Sequence, residues 1–162
     1  MSARYAAGTE VPTDRSRAEI EKTLRRYGAT QFLYGWSGNR ATLGFSAHGR
    51  SIRFELPLPD PNAKEFTRTD TGRQRSQTAT EGVYERAVRQ RWRALALIVK
   101  AKLEAVECGI TTFEDEFLGS TVLPGGNTVA DEVRDGVTEA YATGHVPQLL
   151  PDYRRAIERG SR

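Results

Sequence analysis

The stretch FLYGWSGNRATLGFSAHGRSIRFEL, residues 32–56, decides the fold. Three short runs in it alternate with period two: Phe32, Tyr34 and Trp36; Leu43, Phe45 and Ala47; Ile52, Phe54 and Leu56. Successive side chains of a strand point to opposite faces, so each run puts its large apolar residues on one side. Between the runs stand Ser37-Gly38-Asn39 and His48-Gly49, residues that tolerate the positive φ of tight hairpin connections. The pattern predicts a three-stranded antiparallel meander with one aromatic, buried face. Its other face carries Gln31, Gly35, Thr42, Gly44, Ser46, Ser51, Arg53 and Glu55. That set fits either the wet side of a half-buried sheet or a surface that receives a ligand or an extended chain.

Working outward toward the N-terminus, Ile20, Leu24 and Tyr27 recur at helical intervals, and Ser16 with Glu19 has capping-box spacing. A helix is expected to start near residues 13–16 and to stop at Gly28, with residues 1–12 as a loose arm. Toward the C-terminus, Pro57-Leu58-Pro59-Asp60-Pro61 ends the third strand, because proline cannot donate to a ladder. Residues 62–80 have almost no apolar content and hold Arg68, Arg73 and Arg75, which predicts a mobile basic loop.

Residues 80–107 contain no proline and only Gly82 near their start, with Gly109 just beyond, so they are expected to form one long helix. At 100° per residue, Arg86, Arg89, Arg93 and Lys100 fall within about 60° of each other. Such a stripe repels itself unless something negative lies alongside, either a phosphate backbone or carboxylates of the fold. Val83, Tyr84, Val88, Trp92, Leu95, Ile98, Val99 and Leu103 belong to an apolar arc of roughly 200°, wider than a surface helix requires. The helix should therefore be packed on two sides, with a second subunit as one candidate cover. Arg91 and Lys102 lie inside the arc, where buried charges need partners. Each is expected to meet a carboxylate, with Glu114, Asp115 and Glu116 as candidates, or to emerge at the edge of the packing.

Beyond Gly109, Phe113 and Phe117 have the i, i+4 spacing of a short docked helix, and Thr128 with Asp131 opens another that Gly144 closes. The fold class is α+β: an N-terminal helix, a three-stranded antiparallel meander, a long central helix and short C-terminal helices. Residues 13–151 are expected to form a single domain, followed by a charged C-terminal tail at 152–162.

The chain has 162 residues and one cysteine, Cys108, which excludes an intramolecular disulfide and a thiolate zinc site. No segment has the roughly 18 to 20 apolar residues that span a bilayer, and 1–13 lack a signal-peptide core. A cytoplasmic protein without a membrane partner is expected. The net charge of +3 is unevenly placed: residues 1–110 hold 19 Lys and Arg against 12 Asp and Glu, and residues 111–162 hold 5 against 9. A basic surface for a polyanion, an acidic surface for a partner, or mutual neutralisation would each account for this.

Catalytic signatures are absent. There is no phosphate-cradling glycine loop and no nucleophile elbow, and His48 and His145 stand alone. A hairpin nuclease would place lysine two residues after an acid, whereas Leu56 and Pro57 follow Glu55. Glu114, Asp115 and Glu116, with Glu104 and Glu107, either hold a magnesium ion or form caps and salt bridges. No catalytic residue, metal or cofactor is assigned. The expected partner is nucleic acid, DNA in the first place, held by Arg53, Arg68, Arg73, Arg75, Arg86, Arg89, Arg93 and Lys100, by a protein that is either monomeric or a homo-oligomer. The alternative is a protein-interaction module such as an adaptor or an inhibitor.

The run Arg91-Trp92-Arg93-Ala94-Leu95-Ala96-Leu97-Ile98-Val99-Lys100-Ala101-Lys102-Leu103-Glu104-Ala105-Val106-Glu107, continuing through Phe113 to Leu118, together with Tyr27-Gly28-Ala29 and 50–59, resembles an uncharacterised family of phages and prophages. The order helix, meander, basic loop and long helix also resembles the single-strand annealing proteins of phage recombination systems. The first resemblance carries no assigned activity and implies a phage setting in the cytoplasm of a bacterial host, where small proteins of DNA metabolism and inhibitors of host defence are both common; the second implies single-strand binding or annealing.

Overall fold

The computed structural model describes residues 10–150, so the expected arm before residue 10 and the expected tail at 152–162 lie outside the described residues. Strands β1 (Gln31–Ser37), β2 (Arg40–Ala47) and β3 (Arg50–Pro57) form one antiparallel sheet in the order β1-β2-β3. The register aligns Tyr34 with Leu43 and Leu43 with Phe54, and in the next row Phe32 with Phe45 and Phe45 with Ile52. All three alternations therefore fall on a single face, and Leu43, Phe45 and Ile52 are buried there. The hairpins use the expected residues: Gly38 has φ +54, and His48 and Gly49 have φ +51 and +70. Trp36 departs from expectation. It sits at the hairpin end of β1 and is 56% exposed, touching Tyr34 at 5.9 Å between ring centroids.

Helix α1 (Glu10–Arg26) begins earlier than the Ser16–Glu19 spacing suggested, so Ser16 lies inside the helix and is no cap. Pro12 is compatible with this, because a proline in the first turn removes an N–H that has no helical partner. Ile20 and Leu24 enter the core, and Gly28 with φ +87 ends the element.

Residues 62–80 are folded rather than a structureless loop. Helix α2 (Lys64–Thr67) is a single turn anchored by Phe66, which is buried edge-on against Tyr84 with centroids 5.6 Å apart. A tight turn follows, in which the Thr69 amide donates to Arg73 O and the Arg75 amide donates to Thr67 O. Ser76 then caps helix α3 (Gln77–Glu107) by accepting from the Ala79 amide, which moves the helix start three residues before the expected 80. The one apolar anchor and the serine cap outweigh the polar composition of the segment.

α3 has 31 residues and is about 46 Å long. Tyr84, Val88, Trp92, Leu95, Val99 and Leu103 are buried along it at helical spacing, with Trp92 against Tyr34 at 5.3 Å. The sheet and α1 cover this side. They leave part of the predicted arc open at Ile98, which is 48% exposed, and Leu97, outside that arc, is 60% exposed. The two cations of the arc separate: Lys102 meets Glu116, and Arg91 emerges at the edge, where Nη1 donates to Pro57 O at 2.8 Å.

Thr112 caps helix α4 (Phe113–Phe117), in which Phe117 packs edge-on against Phe45 and Phe54 while Phe113 lies against His48 and Phe117. After a 3-10 turn at Leu118–Ser120, Thr121 bridges to Ile52, and the Val122 amide donates to Ser51 O, covering part of the outer edge of β3. Helix α5 (Val129–Thr143) has the predicted capping box from Thr128 and Asp131 and ends at Gly144 with φ +72. No residue of α5 is fully buried, and Tyr141 is 90% exposed. Among the described residues, no helix is long and apolar enough to cross a membrane.

Candidate nucleic-acid interface

The N-terminal half of α1 lies beside the middle of α3 and leaves a groove of about 670 Å³ between them. Arg15, Ser16 and Glu19 form one wall, and Arg86, Arg89, Gln90, Arg93 and Leu97 form the other. The predicted cationic stripe therefore does not face open solvent alone; three of its four members line a seam between helices. Arg86 and Arg93 are exposed and make no ion pair among the described residues. Arg89 is partly neutralised by Glu85 one turn earlier, at 3.6 Å. Lys100 is exposed on the same flank of α3 but lies outside the groove. Between Arg86 and Arg93 the helix rises about 10 Å, so their guanidinium groups offer successive, separated contacts to an extended anion.

Arg15 is the residue that sequence reading missed. It stands five residues before Ile20 in an ordinary polar context, and only the packing of α1 on α3 brings it opposite Arg86, Arg89 and Arg93. Among the described residues, Glu19 is the one acid that lines the groove.

The other predicted site residues are placed elsewhere. Arg53 is tied to the C-terminal part of the chain: Nη1 donates to Gly126 O at 2.7 Å, and Nη2 lies 3.4 Å from Asp131 Oδ2. Arg68 donates to Gly72 O, and Arg75 Nε donates to Arg68 O at 3.0 Å, so both hold their own turn together. Arg73 is exposed on that turn, away from the groove lining. The acids also have structural roles. Lys102 Nζ reaches Glu116 Oε1 at 2.8 Å, Asp115 accepts from the Thr112 hydroxyl, and among the described residues no group of three His, Cys, Asp or Glu comes together to hold a metal.

The seam between α1 and α3 changes sign along its length. At its far end the Tyr27 hydroxyl donates to Glu104 Oε1 at 2.7 Å, with Glu107 nearby. That hydrogen bond, with burial and the two carboxylates, pushes the phenol up to about 12. At the C-terminal helix, Asp131 accepts from the Thr128 amide and hydroxyl, which holds its carboxyl below the ordinary range.

The polar face of the sheet carries a second, shallower cavity of about 570 Å³ over Leu33, Gly44, Ser46, Ser51, Arg53 and Val122. Its hydroxyls are partly used within the sheet, Thr42 on Glu55 and Ser46 on Gln31, and its arginine is bound as described. Among the described residues, the α1–α3 groove is where several arginines converge, and of these Arg89 alone has an ion-pair partner, Glu85.

No family model, no curated protein and no solved structure matches this chain.

Proposed function

We propose that the chain is a non-catalytic nucleic-acid-binding protein of phage DNA metabolism, acting in the cytoplasm of a bacterial host, that holds single-stranded DNA by its phosphates in the α1–α3 groove. One observation carries this: Arg86, Arg89 and Arg93 occupy successive turns of one helix and face Arg15 across a single groove. Converging guanidinium groups suit phosphate oxygens, which accept charge-assisted hydrogen bonds and relieve the mutual repulsion of the stripe. The contacts are to backbone, so binding would be weakly dependent on sequence. Lys100 extends the track along α3, and in a homo-oligomer several such tracks would engage one strand, as annealing requires.

Fluorescent single-stranded and double-stranded DNA titrated at low and high salt tests this. Neutralising three to four phosphates of a single strand gives a slope of log K against log salt of about −2 to −3. Arg86→Ala with Arg93→Ala removes about two of those contacts and flattens the slope accordingly. Absence of binding to either DNA at low salt eliminates the proposal.

A protein-interaction module, an adaptor or inhibitor of a host protein, is favoured by a different observation. α5 presents Val137 and Tyr141 to solvent, and among the described residues it packs mainly on the 3-10 turn and its own following segment. An exposed apolar helix face is a usual docking element for a protein partner.

A further inference from the structure

One flank of α3 carries more than its cations. Placed at 100° per residue, Arg86, Arg89, Arg93, Leu97, Lys100, Glu104 and Glu107 fall within about 80° of each other. All of them are exposed or partly exposed. The sign of the charge reverses along this strip, with arginines in the N-terminal half and glutamates at the C-terminal end. The reversal is centred between Ile98 and Val99: Arg93 and Glu104 lie about equally far from that point, as do Arg89 and Glu107, and Leu97 mirrors Lys100.

A strip whose charge is antisymmetric about a point is complementary to itself when two copies meet antiparallel. A two-fold axis through the point then brings each residue i against j of the other copy, and j against i, as isologous interfaces require. The cationic half of this flank suits a polyanion, whereas its acidic end, Glu104 and Glu107, suits a cationic partner. Leu97, in the middle of the strip, opens onto an exposed apolar patch that continues through Ala101 and Ala94 to Ile98, about 100° further round the helix. Such a patch, bordered by charge, has the make-up of an interface core and rim.

We propose that two copies of this chain form a symmetric dimer through α3, antiparallel about Ile98. Leu97 packs on the aliphatic stem of the partner's Lys100, and Arg93 and Arg89 meet the partner's Glu104 and the partner's Glu107. Tyr27, by bonding Glu104, holds that carboxylate in place for its partner. The same pairing brings the partner's Ile110, an exposed residue just past the end of α3, toward the Arg86 end of the groove. The inference does not depend on nucleic acid, but the two uses share Arg89 and Arg93, so DNA in the groove would compete with the dimer.

Sedimentation equilibrium of the full chain without DNA, at low and high salt, tests the pairing. The wild type should show about twice the 18.0 kDa monomer mass at low salt and shift toward monomer at high salt. Because each contact occurs twice, Arg89→Glu and Glu107→Arg should each weaken the dimer at least about tenfold, and the double variant should return to within about threefold of wild type. Leu97→Asp, at an exposed position, should abolish the dimer while circular dichroism and the melting temperature show the fold intact. A wild type that stays monomeric at low salt, single variants that dimerise as well as wild type, or a double variant that is not restored would each overturn the proposal. The sedimentation is done without DNA, so its outcome is read separately from that of the titration above.

Discussion

Lys102 Nζ lies 2.8 Å from Glu116 Oε1 and 3.0 Å from the Glu116 carbonyl oxygen, joining the C-terminal part of α3 to the short helix that closes the core. The ammonium also stands 5.7 Å from the ring centroid of Phe117. Both partners are partly shielded, so the pair is neither a solvated surface contact nor a fully desolvated one. Removing either leaves the other poorly satisfied. Lys102→Ala and Glu116→Ala are each expected to cost about 1–2 kcal/mol in urea denaturation. The double variant should cost less than their sum, with a coupling of about 1 kcal/mol. Additive losses would mean that the two side chains act independently.

Tyr27 gives the chain an alkaline limit. Its phenol is pushed up to about 12 by the Glu104 hydrogen bond, against an unfolded value of 10.0. A raised value in the folded state favours the protonated form, so the contribution to stability is complete below pH 10 and is lost as pH rises toward 12. Thermal melts of the wild type should fall through that window. Tyr27→Phe should be less stable at neutral pH and show a smaller decline above pH 10. The tyrosinate absorbance of the folded wild type should also include a component titrating at about 12 that Tyr27→Phe lacks.

Phe66 decides whether residues 62–76 stay on the body of the protein. It is the one buried side chain of α2 and packs edge-on against Tyr84. Truncating a buried phenylalanine costs about 3–5 kcal/mol where the surroundings cannot collapse, and this site at the rim of the core should fall at the low end. In Phe66→Ala the segment carrying Arg68, Arg73 and Arg75 is expected to become cleavable by trypsin at concentrations that leave the wild type intact. The far-ultraviolet spectrum should change little. Equal resistance in the two proteins would show that the backbone hydrogen bonds of the turn suffice.

How much of this was legible in the sequence follows from how local each signal is. The meander was readable because its alternation and its Gly38 and His48-Gly49 turns are set within a few residues, and α5 because Thr128, Asp131 and Gly144 mark both ends. The Lys102–Glu116 pair was readable because a charge inside an apolar arc demands a partner. The segment 62–80 was misjudged because a single aromatic, Phe66, outweighs the polar residues around it. The groove was only half visible. A helical wheel aligns Arg86, Arg89 and Arg93, but which side of α3 receives α1 is a tertiary choice, and with it the position of Arg15. Trp36 was placed inside by its alternation, which says which face a residue takes but not whether anything covers that end of the sheet.

The placement of the arginines separates those that should act on DNA from those that should not. Arg15 faces the groove without an ion pair among the described residues, so Arg15→Ala should weaken binding and make the salt slope shallower by nearly one phosphate contact. Arg53 spends its guanidinium on Gly126 O and Asp131, beneath the start of α5. Arg53→Ala should leave DNA affinity within about twofold while lowering stability by about 1 kcal/mol, because it strips a partner from a carbonyl and a capping carboxylate. The sequence alone grouped Arg53 with the binding residues and left Arg15 out. A larger loss of affinity in Arg53→Ala than in Arg15→Ala would move the binding surface from the α1–α3 groove to the open face of the sheet, where Arg53 borders the shallower cavity.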